Sequence, residues 1–316
     1  MASPPKDSSA GTGRTQRPRQ LGANAPLVFT LPGHGRFVTR GAGLVAERAI
    51  FARFANGEWH AAVREPIAGR SCVVIGSISP PPGNIARVTL FGHTLRRAGA
   101  GHITALLPYL AYARQDRARP TQSLGLAWVG GLLRASGVDE VVCVDAHSEL
   151  AGGLLGLPVT SLSPAALLAS ALPRSWRERV TFVAPDEGAI SRCAAMAKAA
   201  GAGDAIVWLR KRRTAAGLEH LGIVGEPERR AVIVDDILDT GSTLASCCRH
   251  LRAGGVEEIG VIATHALFTS ERSSALRQAV QRIWITDTVL SRRRPPDVEV
   301  VPIAELLAPV LTGTVD

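Results

Sequence analysis

Eight short apolar runs, rich in Val and Ile and strung along most of the chain, constrain its fold more than any other feature. They are CVVIGSI (72–78), HITALLP (102–108), EVVCVDA (140–146), VTFVAP (180–185), AIVWL (205–209), AVIVDD (231–236), IGVIATH (259–265) and QRIWIT (281–286). Most are apolar on consecutive residues rather than alternate ones, the pattern of parallel strands covered on both faces. Stretches of helical character lie between them, at 85–98, 122–136, 188–200 and 243–254. Strands alternating with helices predict an α/β fold, mainly parallel sheets flanked by helices, with right-handed crossovers.

The chain also repeats itself. LRRAGAGHITALLP (95–108) matches LRAGGVEEIGVIAT (251–264) in pattern and length, and LLRASGVDEVVCVDAH (132–147) follows the same plan. Each is a helix end, a Gly cap and a buried strand. With 316 residues there is room for about two domains. Two related halves are expected, 27–163 and 164–316, divided near Leu162-Ser163-Pro164, with the last helix able to pack back on the first half. Residues 1–26 are rich in Pro, Ser, Gly, Ala and Arg, lack periodicity, and are expected to form a disordered leader.

Composition narrows the function. No apolar run approaches the roughly 20 residues of a membrane span, and the basic N-terminus lacks the apolar stretch of a secretory signal. A cytoplasmic protein with no membrane partner is expected. The five cysteines (72, 143, 193, 247 and 248) show no CxxC spacing and no His/Cys cluster, which predicts reduced core thiols rather than zinc or disulfides. The net charge of +9 is carried by 33 arginines and three lysines, Lys6, Lys198 and Lys211. A lysine retained in so arginine-rich a chain points to a task that Arg cannot do. Aromatic residues make up 4% and do not interleave with basic ones, so no nucleic-acid partner is expected.

Ligands of open parallel sheets collect at the carboxyl ends of the strands. Four polar clusters fall there: VDAH (144–147), APDEGA (184–189), LRKRR (209–213) and VDDILDTGST (234–243). In the last, a buried strand ends on Asp235 and Asp236, and Asp239-Thr240-Gly241-Ser242-Thr243 turns into a helix. Backbone N–H groups in such a turn form an anion nest. Thr240, Ser242 and Thr243 add hydroxyl donors, and Gly241 permits close approach of a phosphate. Two carboxylates beside a phosphate nest suit the vicinal hydroxyls of a sugar phosphate. A capped helix behind a solvated acidic loop is the plainer reading, but a cap does not need the second Asp.

VDDILDTGSTL resembles the phosphoribosyl-binding loop of type I phosphoribosyltransferases and of ribose-phosphate pyrophosphokinases. Other segments choose between those families. FANGE (54–58) resembles the purine-binding segment of the pyrophosphokinases, and PYLAYARQDR (108–117) their Tyr-Ala-Arg-Gln-Asp signature. VDAH resembles their metal segment and APDEGA their Pro-Asp-x-Gly loop. RKRR falls where they carry a mobile Lys-x-Arg catalytic loop, and THALF and TDT match in order. The resemblance covers about residues 27–312.

That resemblance implies two type I phosphoribosyltransferase-like domains. It implies transfer of the diphosphoryl group of Mg-ATP to O1 of ribose 5-phosphate, with Mg2+ as cofactor and a homo-oligomer built from dimers. Phe54, Asn56, Gly57 and Glu58 would contact adenine, from a neighbouring subunit if ATP sites are shared. Arg114, Gln115 and His147 would hold ATP, and Asp145, His147 and Asp186 would neighbour the metal. Lys211 and Arg213 would be the catalytic cations, and Asp235, Asp236, Asp239, Thr240, Gly241, Ser242 and Thr243 would seat ribose 5-phosphate.

The chain departs from the family pattern at several points. Gly156 and Thr160 stand where acids are usual, Ala189 replaces the second Gly of the Pro-Asp-x-Gly-Gly loop, and Ser242 stands where Gly is usual. These losses keep open a non-catalytic regulatory paralogue and a shift to a related sugar phosphate. A plain phosphoribosyltransferase is disfavoured by FANGE and YARQD.

Overall fold

The structure, a computed structural model, describes residues 25–38, 46–115, 120–148, 150–203, 206–214, 217–268, 273–289 and 295–314. At 46, 48, 211–214, 217–221 and 273–275 it describes the main chain alone. Residues 1–24 of the expected leader and Asp116-Arg117 of the arginine-rich signature lie outside it.

The first half runs β1 (Leu27–Thr30), β2 (Ala46–Arg48), β3 (Ile50–Arg53), β4 (Trp59–Ala62), β5 (Ser71–Ile75), α1 (Gly83–Arg97), β6 (His102–Leu107), α2 (Gly125–Ala135), β7 (Glu140–Val144), α3 (Ala151–Leu155) and β8 (Val159–Leu162). The second runs α4 (Ala165–Ala171), β9 (Thr181–Ala184), α5 (Ile190–Ala199), β10 (Val207–Thr214), β11 (Gly217–Val224), β12 (Arg230–Leu238), α6 (Ser242–Ala253), β13 (Glu258–Ala266), α7 (Ser273–Ala279), β14 (Arg282–Thr286), β15 (Glu299–Val301) and α8 (Ala304–Thr312).

The first sheet has the order β2-β1-β5-β6-β7-β8 and is parallel throughout. The second has the order β11-β10-β9-β12-β13-β14-β15, parallel except between β10 and β11. The repeat seen in the sequence therefore has a structural counterpart. β1-β5-β6-β7-β8 and β9-β12-β13-β14-β15 are laid out alike, and a two-stranded hairpin interrupts each half at the same stage.

Continuous apolar strands are explained by two-sided cover. Val74 of β5 packs in one core with Val88 and Phe91 of α1 and Leu133 of α2. Its neighbours Val73 and Ile75 point the other way, against Leu307 and Leu311 of α8. The last helix thus closes the outer face of the first sheet. Each such fully buried aliphatic side chain stabilises by about 1.5–3 kcal/mol. In the second half, Val232 and Val234 face Cys193 and Met196 of α5, while Ile233 faces Leu244 and Cys247 of α6. Ile237, near the end of β12, joins the core of the first half and ties the two sheets together.

Strands β1, β2, β8, β11 and β15, the β3–β4 hairpin, and helices α3, α4 and α7 escape the sequence reading. Most are short edge elements, which have too few residues to display a period.

Candidate active site

The parallel strands carry seven of the sequence-predicted residues to one cavity of about 1360 Å³, whose wall does not include the Asp239–Thr243 turn. Its wall includes Arg114 and Gln115 after β6, Asp145 and His147 after β7, Asp186 after β9, and Asp235 and Asp236 of β12. Each sits at or beyond the carboxyl end of a parallel strand, where the backbone leaves the sheet and side chains are free to converge.

Contacts across the cavity join the two halves. His147 Nδ1 lies 2.5 Å from Asp236 Oδ2. Arg192, in the first turn of α5, donates Nε to both oxygens of Asp145 at 2.8 and 2.9 Å, and its Nη1 lies 3.8 Å from Asp236 Oδ1. Thr264 Oγ1 also donates to Asp145 Oδ2. His265 Nε2 donates to the Asp145 carbonyl at 3.3 Å, and its ring packs tilted against Tyr109, centroids 4.6 Å apart. Arg114 donates to Asp239 Oδ2 at 2.9 Å, bringing the start of the sugar-phosphate turn to the cavity.

The electrostatics separate two adjacent acids. Burial and the neighbouring charge of Asp236 push Asp235 well above the usual carboxylate range. Burial also acts to raise Asp236, but the His147 hydrogen bond and the Arg192 charge outweigh it and hold Asp236 below that range. One acid of the pair is held ionised as an acceptor, and the other favours its proton and can donate.

The turn Asp239–Thr243 leads into α6. Gly241 has φ +75°, a left-handed conformation that favours glycine, and a Cβ there would stand 3.2 Å from Leu276 Cβ. Thr240 Oγ1 and Ser242 Oγ approach to 3.2 Å at the mouth of the helix. The Ser242 N–H at the start of α6 also points to Thr240 Oγ1, at 3.5 Å.

Two predicted segments lie elsewhere or differ in form. Phe54, Asn56, Gly57 and Glu58 form the turn of the β3–β4 hairpin and do not line this cavity; Phe54 is 57% exposed. Lys211 and Arg213, expected on a loop, have their main chain in β10, paired antiparallel to β11 with a register shift at Arg210/Lys211. Their side chains lie outside the described residues. The register still places them. Val207 of β10 and Ile233 of β12 both pair with Val183 of β9, so Lys211 stands four residues and Asp236 three residues past a common level. Both are beyond the carboxyl end of β9.

A metal fits these residues in one way and not in another. Among the described residues, no group of three or more His, Cys, Asp and Glu side chains could hold a metal by itself. Both Asp145 oxygens are engaged by Arg192. Asp186, half-buried in the wall and close enough to raise Asp235, suits an ion that arrives with a polyphosphate and takes most of its ligands from phosphate and water.

The N-terminal-domain family of ribose phosphate pyrophosphokinase matches residues 36–137, and the phosphoribosyl transferase domain family matches 163–283. A ribose-phosphate pyrophosphokinase of Chromobacterium violaceum is 32% identical over 274 residues, 84% of this chain and 83% of that protein. The chain belongs to the ribose-phosphate pyrophosphokinase family. A ribose-phosphate pyrophosphokinase of Neisseria meningitidis is 32% identical over 273 residues, 83% of each chain. The crystal structure of phosphoribosylpyrophosphate synthetase from Mycobacterium smegmatis superposes with a TM-score of 0.79 at 26% identity, over 91% of this chain and 97% of that one. The two α/β sheets are thus the paired phosphoribosyltransferase-type domains of the ribose-phosphate pyrophosphokinase family.

In this family member, Arg192, Thr264 and His265 are site residues that the sequence reading missed. One arginine among 33 carries no signal of its own. Thr264 and His265 do end an apolar strand, the same cue that singled out Asp235 and Asp236.

Proposed function

We propose that the chain transfers the diphosphoryl group of Mg-ATP to O1 of ribose 5-phosphate, giving phosphoribosyl pyrophosphate and AMP. The observation that carries this reading is the meeting of His147, from the first half, with Asp236, from the second, in one cavity. At about 1360 Å³ that cavity exceeds the range of about 300–1,000 Å³ for a single small ligand, so it has room for two substrates.

Asp236 accepts from one ring hydroxyl of the pentose, and Asp235 pairs with its neighbour. The 5-phosphate sits on the Asp239–Thr243 turn at the start of α6, where the first N–H groups of the helix lie beside the Thr240 and Ser242 hydroxyls. Arg114, bonded to Asp239 at the start of that turn, and Gln115 hold the polyphosphate. Magnesium carried with ATP would be held by Asp186 beside His147, and it supplies charge neutralisation on the phosphoryl oxygens. Lys211 and Arg213, on the β10 arm, stabilise the charge that develops as O1 forms its bond to the β-phosphorus. The bond from that phosphorus to the α-phosphate oxygen breaks, AMP leaves with the electron pair, and the O1 proton departs. The FANGE hairpin, away from the cavity of its own chain, reaches adenine in another copy of a homo-oligomer.

Purified protein with Mg-ATP and ribose 5-phosphate should yield AMP and phosphoribosyl pyrophosphate in equal amounts. Release of ADP would contradict diphosphoryl transfer, and no turnover under conditions that sustain ATP binding would favour a non-catalytic regulatory paralogue instead.

A further inference from the structure

The geometry points to Asp145 as a tether between the two domains rather than a metal ligand, and to Arg192 as the positioning residue that sets His147 against Asp236. This inference rests on the diphosphoryl-transfer reading of the cavity.

Three side chains of the second domain converge on this one residue of the first. Arg192 Nε bonds both carboxylate oxygens at 2.8 and 2.9 Å, and Thr264 Oγ1 donates to one of them. His265 Nε2 donates to its main-chain carbonyl at 3.3 Å. The buried ring of His265 is itself fixed, by Thr288 Oγ1 at 2.8 Å from Nδ1 and by Tyr109 packed against it. Thr264 is anchored in turn, since its carbonyl accepts from Thr286 Oγ1 at 2.6 Å. Asp145 adopts φ +46°, a left-handed conformation rare outside glycine. Its N–H is bonded to the Leu162 carbonyl at 3.0 Å, so the bend is held from both sides. The Asp145 carboxylate is thus charge-paired and bonded on both oxygens by the second domain, without a cation.

The consequence falls two residues on. The bend at Asp145 sends the chain to His147, whose Nδ1 meets Asp236, and the same Arg192 lies 3.8 Å from the other Asp236 oxygen. One guanidinium therefore spans the ATP-side loop and the sugar-side acid. Loss of it displaces the two substrates relative to each other, and small misplacements of reacting groups cost large factors in rate.

The test compares Asp145→Asn, Arg192→Gln, Arg192→Lys and the double variant Asp145→Asn/Arg192→Gln. Rates are measured at saturating substrates and metal, and Mn2+ affinity of the protein–ATP complex is measured by paramagnetic resonance. Each neutralising single variant should lose about 100-fold in kcat, and the double variant should fall little below the worse single, because the pair acts as one unit. Arg192→Lys should restore part of the rate, and Mn2+ affinity should stay within about threefold throughout. Thr264→Val, which removes one donor and no charge, gives the same pattern on a smaller scale if the charge variants fold poorly. A tenfold or greater loss of Mn2+ affinity in Asp145→Asn, with rate recovered by excess metal, would make Asp145 a ligand and overturn the inference. So would a double variant as slow as the product of its singles. Failure of the unmodified protein to make AMP would count against the diphosphoryl-transfer reading alone, because the Mn2+ comparison does not depend on turnover.

Discussion

His147 Nδ1 and Asp236 Oδ2 lie 2.5 Å apart, a hydrogen bond between residues 89 positions apart that belong to different domains. Asp236 is held ionised and can only accept, so Nδ1 carries the proton and donates. The bond marks the point where the first domain meets the second within the cavity.

If Asp236 cradles the pentose, Asp236→Asn removes the charged acceptor while keeping the shape. A hydrogen bond to a charged group is worth about 1.5–3 kcal/mol, so the KM for ribose 5-phosphate should rise about 10- to 150-fold. The KM for ATP should change little. Steady-state kinetics with each substrate varied in turn gives the comparison, and equal damage to both would place Asp236 outside the cradle.

Lys211 is one of three lysines in a chain with 33 arginines, and the strand register sets it at the same end of the sheet as Asp236. Lys211→Ala should lower kcat by about 10²–10³-fold, the cost of removing one donor aimed at developing charge. ATP affinity, followed by calorimetry, should be nearly retained. A kcat within a few-fold of the unmodified protein would remove Lys211 from the chemistry.

Gly241 holds a left-handed conformation in the turn proposed to seat the 5-phosphate. An L side chain at φ +75° costs about 1–2 kcal/mol, and the added Cβ would also crowd Leu276. Gly241→Ala should therefore unfold at lower denaturant and bind ribose 5-phosphate more weakly. Unchanged binding would show that the turn does not seat the phosphate.

His265 is buried, and burial lowers its pKa against the opposing pull of Asp145 and Asp236. A depressed histidine is neutral in the folded chain while the unfolded chain takes up a proton below the ordinary value of 6.5. Folding stability should therefore fall as pH drops below that value, towards the folded-state pKa. Asp235, raised, acts in the other sense: its contribution is present in acid and is lost as pH rises through its folded value. The difference between the unmodified protein and His265→Gln isolates the histidine. The variant should melt lower at about pH 8 yet lose less on acidification to about pH 5.5. Parallel melting curves across that range would mean that His265 is not held neutral.

The central strands were legible because two-sided cover forces consecutive apolar residues, as Val73, Val74 and Ile75 show by facing α8, α1 and α8 in turn. The acidic strand end and the glycine turn were legible because carboxylates and φ > 0 need special residues. The β10–β11 arm was not. Past Trp208, β10 pairs with β11 alone, and a run of cations in the sequence reads as loop. Arg192 was hidden for a different reason. Its role is defined by partners 47 and 44 residues away along the chain, a separation on which local pattern is silent.

The claim that one cavity serves both substrates is tested most directly by a crystal structure with ribose 5-phosphate and a non-hydrolysable Mg-ATP analogue. The account predicts the 5-phosphate on the Thr240–Thr243 turn, the ring hydroxyls on Asp235 and Asp236, and the β-phosphorus facing O1 with Lys211 beside it. A pentose phosphate bound away from Asp236, or a triphosphate outside the wall formed by Arg114 and His147, would contradict it.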